Sequence, residues 1–382
     1  MKSDQNELLV VGIDVGTTGA KALVMSASGE VVGAGYQGYP LITGEGGIVE
    51  QDASLWYDAS CTAVRQAASD VDTSRIRALS MSTQGASSLL VDEAGSPLGN
   101  AITWMDGRAA AEKHEIIAAL GDETVYETTG WRTHQALDAC KLKWIVKHQK
   151  DDYDRAAYYL STLEYMNARL TGVCAVDPTN AAIRQLMDIQ TLAYDDGILD
   201  AAGGDAAKLP QILPTGKLLE TLTPQAAADL GLHADVRVYN GAHDQYCGLY
   251  GAGVSRSGEL MLSAGTAWVT VGVTDQPLHT KSYMSPGPYI VPGKYGALAS
   301  LPCSGAAFDW LRSGVISTDY ADINAQAASR RDKCADLLFY PYLSGAAFPL
   351  WNENHRGAML GLSLEHDKYD IALACMEAWC SS

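Results

Sequence analysis

Apolar residues near the N-terminus fall in short, β-branched runs. Leu8 to Ile13, bounded by glycine, reads as a buried central strand, and Ala20 to Met25 is a second such run. Val24–Tyr36, with Ser28-Gly29 in its middle, reads as a further hairpin, so the chain opens with three consecutive antiparallel strands. A helical pattern follows over 53–68, with Leu55, Ala59 and Ala63 at helical spacing. Ile76–Ser82 and Ser88–Val91 read as strands flanking Thr83-Gln84-Gly85, and the segment around Lys141 as an amphipathic helix. Further on, Val236 to Tyr239 is a strand, 241–245 the loop at its end, and 246–253 a tightly packed helix of small and apolar residues. Glu259–Val269 is a β-run interrupted by Gly265-Thr266, and Gly305 stands at the start of a helix.

Candidate chemistry sits where these elements end. The Gly16-Thr17-Thr18-Gly19 turn can offer backbone N–H groups and hydroxyls to a polyanion, with Asp14 at the strand end able to hold Mg²⁺ directly or through water. From this stretch alone the competing reading is a plain hairpin with a tolerated Asp, and the spacing is neither GxxxxGK[ST] nor GxGxxG. Asp244, at the carboxyl end of a strand and beside a helix N-terminus, is placed as a general base is in open α/β proteins. The competing reading is that it caps the following helix. Gly265-Thr266 repeats the plan of the opening turn, and two strand–Gly–Thr elements with an Asp between them suggest duplicated domains closing on one triphosphate.

Bulk properties narrow the partners. The 382 residues suffice for about two domains, and 47% hydrophobic with 19% charged residues is ordinary for a globular protein. A formal charge of −18 argues against nucleic acid or an anionic membrane as partner. Positive potential for a phosphorylated ligand must then be local or borrowed from Mg²⁺. The eight cysteines show no CxxC pair or zinc spacing and read as reduced thiols. With a polar start and no apolar run of membrane-spanning length, a cytoplasmic chain without signal peptide or anchor is expected.

Three strands, a helix, then alternating strand and helix is the order of the α/β ribonuclease-H-like domain shared by sugar kinases, actin-like ATPases and hexokinases. The segments GIDVGTTGAK, the Gln84 loop with LLVDEAG, WMDGR, TG…KLKW, LEYMNARLTG, GAHDQ, LSAGTAWV, SGAAFDWL and FYPYLSG, together with 357–377, follow in one order over 8–377. In this the chain resembles the FGGY family of carbohydrate kinases, which phosphorylate pentuloses, polyols and sugar acids with ATP and Mg²⁺. The resemblance implies a duplicated two-domain fold, with a sugar and phosphate side over 8–245 and an ATP side over 246–382. Asp14 would be the Mg²⁺-linked Asp, Thr17 and Thr18 would meet the transferable phosphate, and Asp244 would be the general base. Gly265, Thr266 and Gly305 would line ATP. Gln84, Asp106, Arg108 and Gln245 would join Asp244 on the sugar side.

Departures from the family pattern bear on that expectation. Xylulose kinases carry Met-His after the glutamine, where this chain has Gly85-Ala86, and glycerol kinases place a Tyr where Ala136 stands. Asp138 replaces a Pro, Ser or Thr. Family members also continue through a Gly-rich adenosine loop, whereas this sequence stops at Ser382 inside the preceding helix, leaving the second domain incomplete. A fragment or frameshifted frame, a chain completed by a second polypeptide, and a degenerate kinase are the competing accounts. Function accordingly divides between an ATP-dependent sugar kinase and a non-catalytic sugar-binding or regulatory relative, with an actin-like ATPase as a third reading. Neither the sugar nor the assembly, a homodimer included, is fixed by the sequence.

Overall fold

The computed structural model describes residues 7–381 apart from 266, 302, 328, 331–335, 344, 347 and 353. The chain forms two compact units, Met1–Ser255 with Asp275–Pro277 and Pro286–Gly296, and Arg256–Thr274 with Leu278–Ser285 and Ala297–Ser382. Among the described residues no helix is long and apolar enough to cross a membrane. Cys61, Cys140, Cys174, Cys247, Cys303 and Cys375 are free thiols.

The first unit is built on strands β1 (Leu9–Val15), β2 (Gly19–Ser26) and β3 (Val31–Gly38), helix α1 (Ser54–Ala67) and strand β4 (Ile76–Thr83). Later come helices α2 (Asp138–His148), α3 (Thr162–Thr171) and α4 (Pro178–Ile183), strands β5 (Leu218–Thr221) and β6 (Arg237–His243), and helix α5 (Asp244–Gly251). Six strands form one sheet in the order β5-β6-β4-β1-β2-β3. The opening three are antiparallel, whereas β1 and β6 run parallel to β4 on either side of it. This is the ribonuclease-H-like arrangement that the pattern leads one to expect.

The sequence explains the packing. β1 alternates, with Leu9, Val11, Ile13 and Val15 turned into a core that includes Trp56, Ala59, Ala63 and Val64 of α1. Glycine admits α1 to the sheet: a Cβ at Gly33 or Gly35 would lie 1.9 Å from the Ala67 carbonyl oxygen or 2.0 Å from that of Ala63. One boundary differs from the sequence reading. The stretch expected to be a loop after Tyr239 is extended backbone as far as His243, and α5 begins at Asp244.

A buried ion cluster holds the loop after β4. Lys141, Asp138, Arg184 and Glu164 have side chains with no exposure. Lys141 Nζ donates to the carbonyls of Ala86 (2.5 Å) and Ile102 (3.2 Å) and lies 3.7 Å from Asp138. Arg184 donates to Asp138 (2.8 Å), to Glu164 (2.7 Å) and to the Tyr159 carbonyl (3.0 Å). Ala86 has φ +49°, a costly value for a residue with a Cβ, and the Lys141 ammonium secures the carbonyl that this turn directs inward. Asp138 thus has a structural reason that a motif comparison does not supply.

In the second unit, β7 (Leu260–Ala264) and β8 (Trp268–Thr274) form an antiparallel hairpin, Leu260 opposite Gly272 and Ala264 opposite Trp268. Helices α6 (Gly305–Trp310) and α7 (Lys368–Ser381) follow. Ala307, Phe308 and Leu311 pack with Ile323, Phe339, Ala372 and Cys375.

Two outcomes are expected from this packing. Gly35→Ala drives a Cβ into a backbone oxygen and is expected to cost about 2–3 kcal/mol of stability in urea titration, against less than about 0.5 kcal/mol for Gly29→Asn in its exposed left-handed turn. Burial draws the Lys141 ammonium down to about 8 from its ordinary 10.5, against the pull of Asp138 and Asp106. The folded value lies below the unfolded one, so between these limits the unfolded chain binds more protons and stability rises with pH. The stability of the native chain relative to Lys141→Met is therefore expected to climb from about pH 8 to 10.5 and to be flat just below that window.

Candidate active site

The parallel pairing of the first unit brings two carboxylates to one edge. Asp14, the penultimate residue of β1, stands in register with Ser82 of β4, and Ser82 is also in register with Ala242 of β6. Two residues beyond Ala242 lies Asp244, the first residue of α5. The carboxyl ends of parallel strands are where open α/β sheets hold their ligands.

Asp14 is one-third exposed, accepts a hydrogen bond from Ser82 Oγ (2.9 Å) and has Lys21 Nζ at 3.8 Å. Burial raises its pKa and the Asp244 charge raises it further, while Ser82 and Lys21 oppose them. Lys21 is largely exposed and compensates weakly. The charge of Asp244 is thus felt at Asp14, where Lys21 offsets it only weakly. Asp244 keeps a similar partial exposure, and His243 Nε2 stands 3.4 Å from its Oδ1. His243, not Asp244, occupies the N-cap position, and no side-chain cap bond is made there. Gln245 follows, half-buried. Cys247, one turn on, is a half-buried thiol that desolvation pushes up to about 12, so it is protonated at neutral pH.

The opening turn is held from behind by its carbonyls. Gly16 O accepts from Tyr39 Oη (2.5 Å), Thr17 O from Gln51 Nε2 (2.6 Å), and Thr18 O from the Tyr39 amide (3.2 Å) and Tyr36 Oη (3.3 Å). Among the described residues nothing accepts from the amides of Thr17 and Thr18. Thr17 Oγ1 accepts from the indole of the half-exposed Trp104 (3.0 Å).

Gln51 joins this turn to Gln84. Its Oε1 accepts from Trp56 Nε1 (3.0 Å) and from Gln84 Nε2 (2.9 Å). Trp56 can only donate, so the Gln51 amide has one orientation, and that in turn fixes Gln84. The Oε1 of Gln84 is left buried without a hydrogen-bond partner. Asp106 and Arg108 form a closed set: Asp106 accepts from the Val49 and Arg108 amides and from the Arg108 guanidinium, which also reaches Glu50 (2.6 Å). Burial would raise the Asp106 carboxyl, but Arg108 and the backbone donors outweigh it and hold it low.

In the second unit Gly265 lies in the turn of the β7–β8 hairpin and Gly305 opens α6. Thr266 lies outside the described residues. Sequence reasoning missed Gln51, Tyr39 and Ser82. Only Ser82 carried a signal, its place near the end of a strand parallel to β1.

Comparison with known proteins agrees with this architecture. A model of the FGGY family of carbohydrate kinases, N-terminal domain, matches residues 9–251, and that of the family's C-terminal domain matches 260–382. The chain is 28% identical over 380 residues to a gluconokinase of Bacillus subtilis, covering 96% of this chain and 74% of that protein. It is 25% identical over 379 residues to a xylulose kinase of Staphylococcus xylosus, covering 96% and 77%. The crystal structure of gluconate kinase from Lactobacillus acidophilus superposes with a TM-score of 0.91 at 27% identity, covering 97% of this chain and 76% of that one. Two domain models in sequence, on a sheet of this order, show that the chain belongs to the FGGY family of carbohydrate kinases, phosphotransferases acting on an alcohol group.

Proposed function

We propose that this chain transfers the γ-phosphate of ATP to a hydroxyl of a ketopentose, polyol or sugar acid, in the cytoplasm, with Asp244 as general base. The observation that carries the reading is the meeting of Asp14 and Asp244 at the carboxyl ends of strands that flank Ser82. Likeness to gluconokinases and xylulose kinases supports the substrate range. Residues 8–245 would carry the sugar and phosphate side and 246–382 the ATP side.

Asp14, with its pKa raised by burial and by Asp244, fits a divalent cation. No group of three or more ligating side chains occurs among the described residues. That suits Mg²⁺, which commonly takes one or two carboxylates and fills its shell with water and phosphate oxygens. When bound, it would offset charge on the phosphates. Thr17 and Thr18 would offer amides that have no acceptor among the described residues to the transferred group, a donor set that costs little reorganisation because the carbonyls of the same turn are already tied. Gly265, Thr266 and Gly305 would line the nucleotide. On the sugar side, Gln84 presents an acceptor with no other partner, and Gln245 follows the base. Asp106 and Arg108 complete this side by bracing, with Glu50, the strand that carries Gln51.

In the step itself, Asp244 accepts the proton of a sugar hydroxyl while that oxygen attacks the γ-phosphorus. The new O–P bond forms as the β–γ bridging P–O bond breaks, and ADP leaves.

An assay of ADP release over ketopentoses, polyols and aldonic acids tests the reading. Turnover with at least one sugar, reduced about 10²–10⁴-fold in Asp244→Asn, is the expected result. Thermal stabilisation by a sugar without turnover, or ATP hydrolysis indifferent to every sugar, would overturn it. Gln51→Ala frees the Thr17 carbonyl and is expected to raise the KM for ATP roughly 5- to 10-fold, the ~1–1.4 kcal/mol of one hydrogen bond, in the same assay.

A further inference from the structure

The imidazole of His243 fills a space that the sequence leaves open at another place in the chain. A Cβ on Gly85, the residue after Gln84, would lie 2.7 Å from Ile183 Cγ2 and 2.8 and 3.0 Å from His243 Cδ2 and Nε2. Any side chain at position 85 would displace the ring. His243 is held on its other sides. Its amide donates to Thr179 Oγ1 (2.9 Å), which donates in turn to Asp177 (2.7 Å). Its ring meets Tyr246 edge to face, with centroids 5.9 Å apart. The side chain is 7% exposed, and its Nε2, the atom that crowds Gly85, is 3.4 Å from Asp244 Oδ1.

A carboxylate on the first residue of a helix swings freely about two torsions, and a base that must meet one hydroxyl loses rate when it is misaimed. We propose that His243 is a positioning residue for Asp244. Its Nε2–H donates to Oδ1 and fixes the carboxylate so that Oδ2 is the oxygen offered to the sugar hydroxyl, and Gly85 is the vacancy that admits the ring. The 3.4 Å separation is long for such a bond, and catalytic hydrogen bonds that are long in a ligand-free site commonly tighten once substrate is bound. The inference rests on the reading of Asp244 as general base. It goes further in tying that base to a glycine in a different strand's loop.

The test combines kinetics with a measurement that needs no turnover. With a sugar that supports ADP release, His243→Ala is expected to lower kcat about 10- to 100-fold while the KM values for sugar and ATP change less than about threefold. His243→Gln, whose amide can supply an N–H at the position of Nε2, is expected to recover most of the loss. Gly85→Ala is expected to reproduce the His243→Ala defect, and the double variant to be no worse than either single one. A kcat for His243→Ala within twofold of the native chain would overturn the proposal. So would a Gln variant as impaired as the Ala variant, or single effects that multiply in the double. Independently, long-range ¹H–¹⁵N spectra should show the His243 ring, identified by its loss in His243→Gln, protonated at Nε2 and shifted in Asp244→Asn. A ring protonated at Nδ1 alone refutes it whether or not any sugar is turned over. Full activity in Asp244→Asn would instead remove the base assignment, and the spectra would still report on the hydrogen bond.

Discussion

Parallel hydrogen bonding on both sides of one strand is the constraint from which the candidate site follows. Because β1 and β6 share β4 as neighbour and run in its direction, their carboxyl ends emerge together, and Asp14 and Asp244, 230 positions apart, come to the same edge of the sheet. An antiparallel neighbour would have sent Asp244 to the opposite edge. The alternation of β1, set by four buried side chains, fixes which face Asp14 takes, and a register slip of one residue would bury it. Charge then completes what topology begins. The Asp14 carboxyl, pushed up by burial and by the Asp244 charge and offset only weakly by a largely exposed lysine, favours a cation, and the amides of Thr17 and Thr18, which have no acceptor among the described residues, extend that preference to an anion beside it.

Behind this edge, several polar groups are tied to one another, although Asp138 Oδ1 and Glu164 Oε2 are buried without a hydrogen-bond partner. The Glu50–Arg108–Asp106 bridge and the Lys141–Asp138–Arg184–Glu164 cluster commit Arg108, Lys141 and Arg184 to fixed partners. Breaking one partner of such a cluster strands the other charge in a dry interior, which makes these arrangements rigid even where they contribute little net stability. Rigidity of the surroundings is what lets Gln84 Oε1 remain uncommitted.

The opening hairpins, α1, β4 and the Gly305 helix were legible because each is a local pattern: alternation, helical spacing, or glycine at a turn. Asp14 and Asp244 were legible for the same reason, as acids at strand ends. Gln51 was not, since its importance lies in joining Trp56, Gln84 and a carbonyl 34 residues away, and no spacing in the chain encodes that. Arg184 was invisible likewise, while Asp138 was noticed only as a misfit. The end of β6 was misread because Gly241 and the polar His243 and Asp244 imitate a loop. Buried backbone bonds to β4 and the Thr179 hydroxyl keep the strand extended instead.

The two glycines that bring α1 against β3 also bear on how this chain meets others of its kind. β3 is the outer strand of the sheet, and a bare margin of that sort is open to pairing with a neighbour. Here the helix lies so near that Gln66 reaches the outward Tyr36 amide at 2.9 Å and takes the donor that a visiting strand would need. The same close fit that orders the interior therefore blunts the rim, and crowded solutions of the chain meet a sheet with part of its ladder already spoken for.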